Sequence, residues 1–187
     1  MGRWEPNARG RLTQAAFALF GELGFEQTTV AAIAERAGLT ERTFFRHFAD
    51  KREVLFAGAD ALQERIVSAI AAAPAALAPF DAAAAGLQAA GAFIQEGDVA
   101  QQRQAIIAAS AELRERELIK LASLAAALAQ ALRARGVDES AASLTAEAAI
   151  AVFKVAFARW VQDPSRHDLP SVIRDSLDQL TAVTADR

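Results

Sequence analysis

Residues Leu39–Phe48 read LTERTFFRHF. Thr40 carries the hydroxyl that suits an N-cap, so the pattern predicts a short helix over Glu41–His47. At about 100° per residue, Phe44 and Phe48 fall about 40° apart on one face. Arg42 and Arg46 take the opposite side, with Thr43 and Phe45 flanking them. One phenylalanine is therefore committed to a core, and the next lies at the edge of a basic face. What stands on either side of this helix decides what the basic face is for.

Upstream, Thr28 and Thr29 are natural N-caps for a helix that turns Val30, Ile33, Ala34 and Ala37 inward and stops at Gly38. A helix after Pro6 precedes it, with Leu12, Ala16, Leu19, Phe20 and Leu23 on one face and its end at Gly24. Downstream, Asp50 caps a fourth helix that starts at Lys51 and runs into AAAPAALAP, Ala71–Pro79, the clearest break in the chain. Two helices joined by the tight turn at Gly38 make a helix-turn-helix, whose second helix lies in the major groove of DNA while the first crosses the backbone. A basic face suits that place: phosphates supply affinity, and arginine pairs bidentately with guanine.

The stretch TTVAAIAERAGLTERTFFRHFADKREVLF, Thr28–Phe56, resembles the DNA-binding domain of TetR-family transcriptional regulators. The likeness includes the GF before the threonines, AIAERAG in the second helix, FRHF in the third and the lysine that opens the fourth. It implies that Thr29, His47 and Lys51 touch phosphates, and that Thr40, Glu41, Arg42, Thr43 and Phe45 face or border bases, with Arg46 on the same basic face. Two positions depart from the family pattern. A small residue is common where this chain has Arg42, and a tyrosine where it has Phe45. A phenyl ring cannot donate a hydrogen bond to phosphate, so Phe45 is left with van der Waals contact to sugar or to a thymine methyl.

Bulk composition agrees. The 187 residues are 53% hydrophobic and 23% charged, as in a folding globular chain. Net charge is −3, yet residues 1–56 hold eight Lys/Arg against seven Asp/Glu and the remainder twelve against sixteen, so the acidity belongs to the C-terminal part. The absence of cysteine excludes disulfides and thiolate metal sites. The two histidines, His47 and His167, make no metal cluster and no catalytic triad, and no glycine-rich phosphate loop appears. We therefore expect no enzyme, no metal and no cofactor. The apolar runs Leu121–Leu132 and Ile66–Phe80 fall short of the roughly 18 residues of a membrane span. AAFALFGELGF is interrupted by Glu22 and resembles no signal peptide. A cytoplasmic protein without a membrane partner is the expectation.

Beyond Pro79 the periodicity predicts helices from about Phe80 to Glu96, Asp98 to Ala109, Ser110 to Arg135 (closed by Gly136), Glu139 to Gln162 and Leu169 to Val183. No strand pattern interrupts them. The fold class is all-α with about nine helices: a helix-turn-helix domain over residues 1–56 and a helical domain over 57–187. The resemblance implies that the second domain binds a small molecule and pairs with a second copy. Leu62, Ile66, Leu87, Phe93, Ile106, Ile107, Leu118, Phe153 and Phe157 are the candidate apolar lining, with Arg114 as a nearby cation. AAIAVFKVAFARWV, Ala148–Val161, is apolar nearly all round, as a helix buried on most sides must be. Val152, Val155 and Trp160 there, with Ile173, Leu177 and Leu180 in the last helix, are the candidate homodimer interface. ERTFFRHF with an apolar, aromatic C-terminal part is similar to regulators with an acyl-CoA-like ligand-binding domain, which implies a long apolar effector with an anionic head. The expected function is a repressor released from a palindromic operator by a small apolar effector. The competing expectation is a helical small-molecule or lipid-binding protein whose DNA-binding domain no longer functions.

Overall fold

The computed structural model describes residues 7–95, 99–163 and 167–185. Nine α-helices and one 3₁₀ helix make up the regular structure of the described residues, without a strand. They fall into two compact units. The first comprises residues 1–58 together with 102–113, the second 59–101 and 114–187.

The first unit begins with α1 (Ala8–Leu23), α2 (Val30–Arg36) and α3 (Glu41–His47). Local chemistry fixes each boundary. Asn7 Oδ1 accepts from Gly10 N–H at 3.1 Å, Thr29 Oγ1 from Ala32 N–H at 3.1 Å and Thr40 Oγ1 from Thr43 N–H at 3.2 Å. Gly38, at φ +64°, lets Leu39 N–H reach Ala34 O at 2.8 Å, closing α2 in a Schellman turn. Leu12, Ala16, Ile33 and Phe44 are completely or almost completely buried between these helices, with Phe17, Phe20 and Phe48 around them. Each large apolar side chain so buried contributes about 1.5–3 kcal/mol.

The fourth helix expected from Lys51 is divided. Residues Lys51–Phe56 form a 3₁₀ helix, and α4 (Ala59–Ala72) begins only beyond the Ala57–Gly58 turn. Asp50 accepts from both Arg52 and Glu53 N–H at 2.8 and 3.1 Å, and that cap holds the tighter turn that faces Val54, Leu55 and Phe56 into the core. Most of α6 (Ala100–Ala109) and the first residues of α7 (Ala111–Ala134) also belong here. Gln102 donates to Phe17 O at 2.8 Å, Arg103 Nε donates to Leu55 O at 2.7 Å and lies over the Phe56 ring, and Glu112 pairs with Arg52. The first compact unit thus runs to Gly58 and takes in the distant segment 102–113. Helix starts and ends expected at Glu96 and Asp98 lie outside the described residues.

The second unit contains α4, α5 (Pro79–Gln95), most of α7, α8 (Glu139–Gln162) and α9 (Leu169–Ala185). Glycines set the closest approaches. A Cβ on Gly86 would stand 3.0 Å from side-chain carbons of both Ile66 and Ile70, so α4 and α5 pack nearly backbone to backbone. A Cβ on Gly91 would come within 2.8 Å of Ile173 on α9. Ile66, Ile70, Leu87, Leu128, Leu132, Leu169 and Ile173 are completely buried among many alanines. Arg135, just past α7, caps the end of α4 by donating to Ile70, Ala73 and Pro74 O at 2.9, 2.6 and 2.7 Å. Helix α8, with a mean hydropathy of 1.5, is long and apolar enough to cross a membrane. The sequence runs that excluded a span missed it because its apolar residues are interspersed with Lys154 and Arg159. Its apolar side is spent on the core of this unit, through Ala149, Val152, Phe153, Ala156 and Trp160.

Candidate nucleic-acid interface and the helical interior

On α3 the inward and outward faces separate as the wheel requires. Phe44 is completely buried and Phe48 nearly so, while Glu41, Arg42, Phe45 and Arg46 are exposed. Phe45 is 55% exposed, which places it on the outer ridge. Its ring meets Phe44 edge to face, 5.5 Å between centroids at 84°, an arrangement that limits its rotamers. Thr43 is half-buried, and its hydroxyl is 3.1 Å from that of Thr40. The ridge is therefore two guanidinium groups, one carboxylate and one apolar ring, fixed on a helix that is anchored from below.

The three expected phosphate ligands differ in what they are free to do. Thr29 is exposed and already caps α2. His47 is half-buried, with Nε2 covered and without a hydrogen-bond partner. Lys51 is engaged internally: Nζ donates to Phe25, Glu26 and Thr28 O at 2.8, 3.1 and 3.0 Å and sits 4.5 Å from the centre of the Phe25 ring. An ammonium has three protons to donate, and all three are used here. Its position is that of a clamp on the loop between α1 and α2, where the expected phosphate contact would have to compete with these three bonds.

Ion pairs brace the same unit. Arg36 meets Glu22 through two hydrogen bonds of 2.9 and 2.7 Å. The guanidinium holds the Glu22 carboxyl below its ordinary range, and Glu22 in turn raises Arg36. Arg52 is raised by its hydrogen bonds to Asp50 and, more weakly, by Glu112. None of Gln102, Arg103 and Glu112 was marked by the sequence, because their partners lie 48 to 85 residues away.

In the second unit, Ile66, Leu87 and Phe153 of the expected lining are buried in the core, with Leu62 and Phe157 packed partly buried against it. Phe93 is half-buried beneath the Arg65 guanidinium, 5.3 Å from its ring centre. Ile106 and Ile107 fall in the first unit, where Ile107 is completely buried. Leu118 is 57% exposed and Arg114 is exposed as well. The α7 stripe that turns inward instead runs through Leu124, Leu128 and Leu132, one helical turn apart. A shallow groove of about 230 Å³ between α7 and α8, floored by Ala125, Ala129 and Ala146 and flanked by Arg133 and Glu147, uses none of the expected residues.

Most of the expected interface residues are core. Ile173 is completely buried, and Val152, Trp160 and Leu177 are 5%, 6% and 8% exposed within the single chain. Leu180 packs partly buried against them. Val155, 54% exposed, remains on the surface, and Leu144 on α8 and Val183 on α9 join it as exposed apolar residues. A helix that is apolar all round carries no periodic sign of which side meets its own chain, and here its aromatic side does so.

Comparison with known proteins follows this geometry. Residues 12–57 match the family described as bacterial regulatory proteins, tetR family. TcmR of Streptomyces glaucescens, an HTH-type transcriptional regulator, is 36% identical over 91 residues, which are 49% of this chain and 40% of that protein; the chain thus spans well under two thirds of that relative's length. SmeT, the repressor of the Stenotrophomonas maltophilia multidrug efflux pump SmeDEF, has a similar structure at 22% identity and a TM-score of 0.62, covering 94% of this chain and 89% of its own. FadR of Bacillus subtilis, solved in complex with stearoyl-CoA, matches at 18% identity and a TM-score of 0.61 over 91% of this chain and 96% of its own. These two likenesses speak for the fold. By sequence, residues 12–57 match the tetR family, and by fold the chain resembles SmeT and FadR.

Proposed function

We propose that this protein is a homodimeric, cytoplasmic transcriptional repressor that holds a palindromic operator and releases it when a small apolar effector binds the second unit. One observation carries this reading: the exposed ridge of Glu41, Arg42, Phe45 and Arg46 on a helix held rigidly by Phe44 and Phe48. A surface helix without a partner has no need of an outward phenylalanine between two arginines. Arg42 is the candidate reader of a guanine edge, and Thr40, Glu41 and Thr43 border it. Arg46, Thr29 and His47 are the remaining candidates for phosphate contact. The named regulators among the relatives support repression, and the intact caps and ridge argue against the rival reading of a lipid-binding protein with a spent DNA-binding domain.

Two copies would place two such ridges on successive half-sites, which is why a palindrome is expected. Val155 and Leu144 of α8 with Val183 of α9 are the apolar surface proposed for the pairing. The effector acts only if it binds the DNA-releasing state better than the DNA-holding one. An acyl-CoA-like effector, as in the FadR complex, would present its anionic head to Arg114 on α7. The test is selection of the protein on random duplex DNA, followed by binding of the enriched sequence across salt concentrations. An enriched palindrome with steep salt dependence supports a dimeric sequence reader. Folded protein that enriches nothing would transfer the weight to the lipid-binding reading.

A further inference from the structure

A helix of seven residues can be anchored at few points, and both ends of α3 are reached from the first turn of α1. Ahead of α3, Arg11 donates from Nη2 to the carbonyl of Ala37, the C-cap of α2 and the residue before the Gly38 turn. Behind it, Arg9 lies over the ring of Phe48, the C-cap of α3, 5.4 Å from its centre. The same guanidinium donates to Ala57 O at 2.8 Å, just past the 3₁₀ helix. Two residues apart, the two arginines leave α1 on nearly opposite sides, so each reaches a different neighbour.

Both contacts suit their places. The last carbonyls of a helix lack intrahelical donors, and the helix dipole favours a cation there. A Cβ on Gly38 would stand 2.9 Å from Arg11 Nη2, so the guanidinium occupies space that a side chain would need. Gly38 therefore serves twice: its φ of +64° makes the left-handed turn, and its missing side chain admits Arg11. Arg9, Arg11, Arg36, Lys51 and Arg52 all bond to carbonyls or carboxylates of their own unit, whereas Arg42 and Arg46 stand exposed on α3.

The value of two outward guanidinium groups depends on how their helix is aimed. Phe44 and Phe48 hold α3 against the core, but apolar packing is non-directional and sets depth better than angle. Hydrogen bonds to fixed carbonyls are directional. At about 1.5 Å per residue α3 is roughly 10 Å long, so a tilt of about 10° around its middle moves each end by roughly 0.9 Å. Arg42 sits in the first turn, where that displacement is large. Paired hydrogen bonds at a base edge need placement to about 0.5 Å, whereas attraction to phosphate falls slowly with distance and tolerates the shift.

We propose that Arg9 and Arg11 are positioning residues for sequence reading, which fix the angle at which α3 presents Arg42 without touching DNA themselves. This rests on the reading of the ridge as the operator contact.

The test compares the full chain with Arg11→Met and Arg9→Met, which keep most of the apolar stem and remove the donors. Each protein is bound to the sequence enriched from random duplexes and to a scrambled duplex of the same length, across salt concentrations, with urea denaturation run alongside. Either substitution should weaken binding of the enriched sequence about tenfold and leave the scrambled duplex within about twofold, as the loss of one base contact requires. The slope of log affinity against log salt should not change. Arg11→Lys, which can still reach one carbonyl, should recover part of the discrimination. Equal loss on both duplexes, with a slope lower by about 0.9, would show a direct phosphate ligand and overturn the proposal. Unchanged discrimination by folded but destabilised protein would show a purely structural brace and overturn it as well. The two substitutions act at opposite ends of α3, so the question is decided even if one of them prevents folding. A wild-type chain that enriches no sequence would remove the operator reading itself, and the positioning role with it.

Discussion

Replacing Lys51 with methionine keeps most of the side chain's length and apolar stem and removes its three donors. Each donor serves a different loop carbonyl, those of Phe25, Glu26 and Thr28, at 2.8–3.1 Å. Hydrogen bonds from charged groups are worth about 1.5–3 kcal/mol each when well buried. Lys51 is half-exposed, so about 1 kcal/mol per bond is the better figure, with a small further loss for the ammonium over the Phe25 ring. The first unit should lose roughly 2–4 kcal/mol, a large share of the 5–15 kcal/mol that usually holds a domain together. Urea denaturation followed by circular dichroism measures the loss. Lys51→Arg should recover little, because a planar guanidinium cannot direct donors to three carbonyls converging on one point. If Lys51 were instead an open phosphate ligand, Lys51→Met would leave stability within about 0.5 kcal/mol of wild type. The slope of log affinity against log salt would then fall by about 0.9. That pair of results would refute the clamp.

Arg42→Ala should cost roughly 1–3 kcal/mol on the selected operator and broaden the sequences accepted at one position of each half-site, read by competition binding; unchanged affinity and preference would mean the ridge faces away from the bases. If Phe45 touches a thymine methyl, substituting deoxyuridine for thymidine one site at a time should weaken wild-type binding at one position per half-site and leave Phe45→Ala indifferent there. Gly86→Val would drive methyl carbons into Ile66 and Ile70, where even a Cβ stands at 3.0 Å, and should destabilise the second unit by about 1–3 kcal/mol in thermal unfolding. The Glu22 carboxyl is held below its ordinary range by Arg36, so its stabilising contribution is present above the unfolded-state carboxylate pKa and is lost as pH falls through the lowered folded value. Glu22→Gln should therefore lower the neutral plateau slightly and flatten the acid limb by the same amount, the two curves meeting at low pH.

The first three helices could be read from the sequence because their limits are set by groups within three or four residues of one another. Thr29 and Thr40 each cap a helix by accepting from the N–H three positions on, and Gly38 supplies the left-handed turn between them. The burial of Phe44 against the exposure of Phe45 was equally legible, since on a seven-residue helix with two arginines the wheel leaves one assignment. Three features were not. The division of the fourth helix depends on how Val54, Leu55 and Phe56 meet the rest of the first unit, which local propensity does not encode. Lys51 looked like an open cation because the carbonyls that bind it lie 23 to 26 residues earlier. On α8 the sequence announced burial without naming the partner. Ile173 and Val152, expected between two chains, are enclosed by one, and Val155 alone of the α8 candidates faces outward. Periodicity says which residues share a face, and only the packed structure says what that face touches.

The return of residues 102–113 to the first unit bears on how the chain comes off the ribosome. The helix-turn-helix is synthesised first, yet the side chains of Gln102, Arg103 and Glu112, which bond to Phe17, Leu55 and Arg52, follow it by dozens of residues. At about 5–20 residues per second the interval between Gly58 and Leu113 amounts to roughly 3–11 seconds. During it the nascent first unit lacks Ile107 and Leu113, both completely buried in the finished protein. A polypeptide arrested between residues 58 and 102 should therefore display the three helices with part of their apolar surface uncovered. Chaperone capture of arrested chains should peak in that window and fall once Leu113 has emerged.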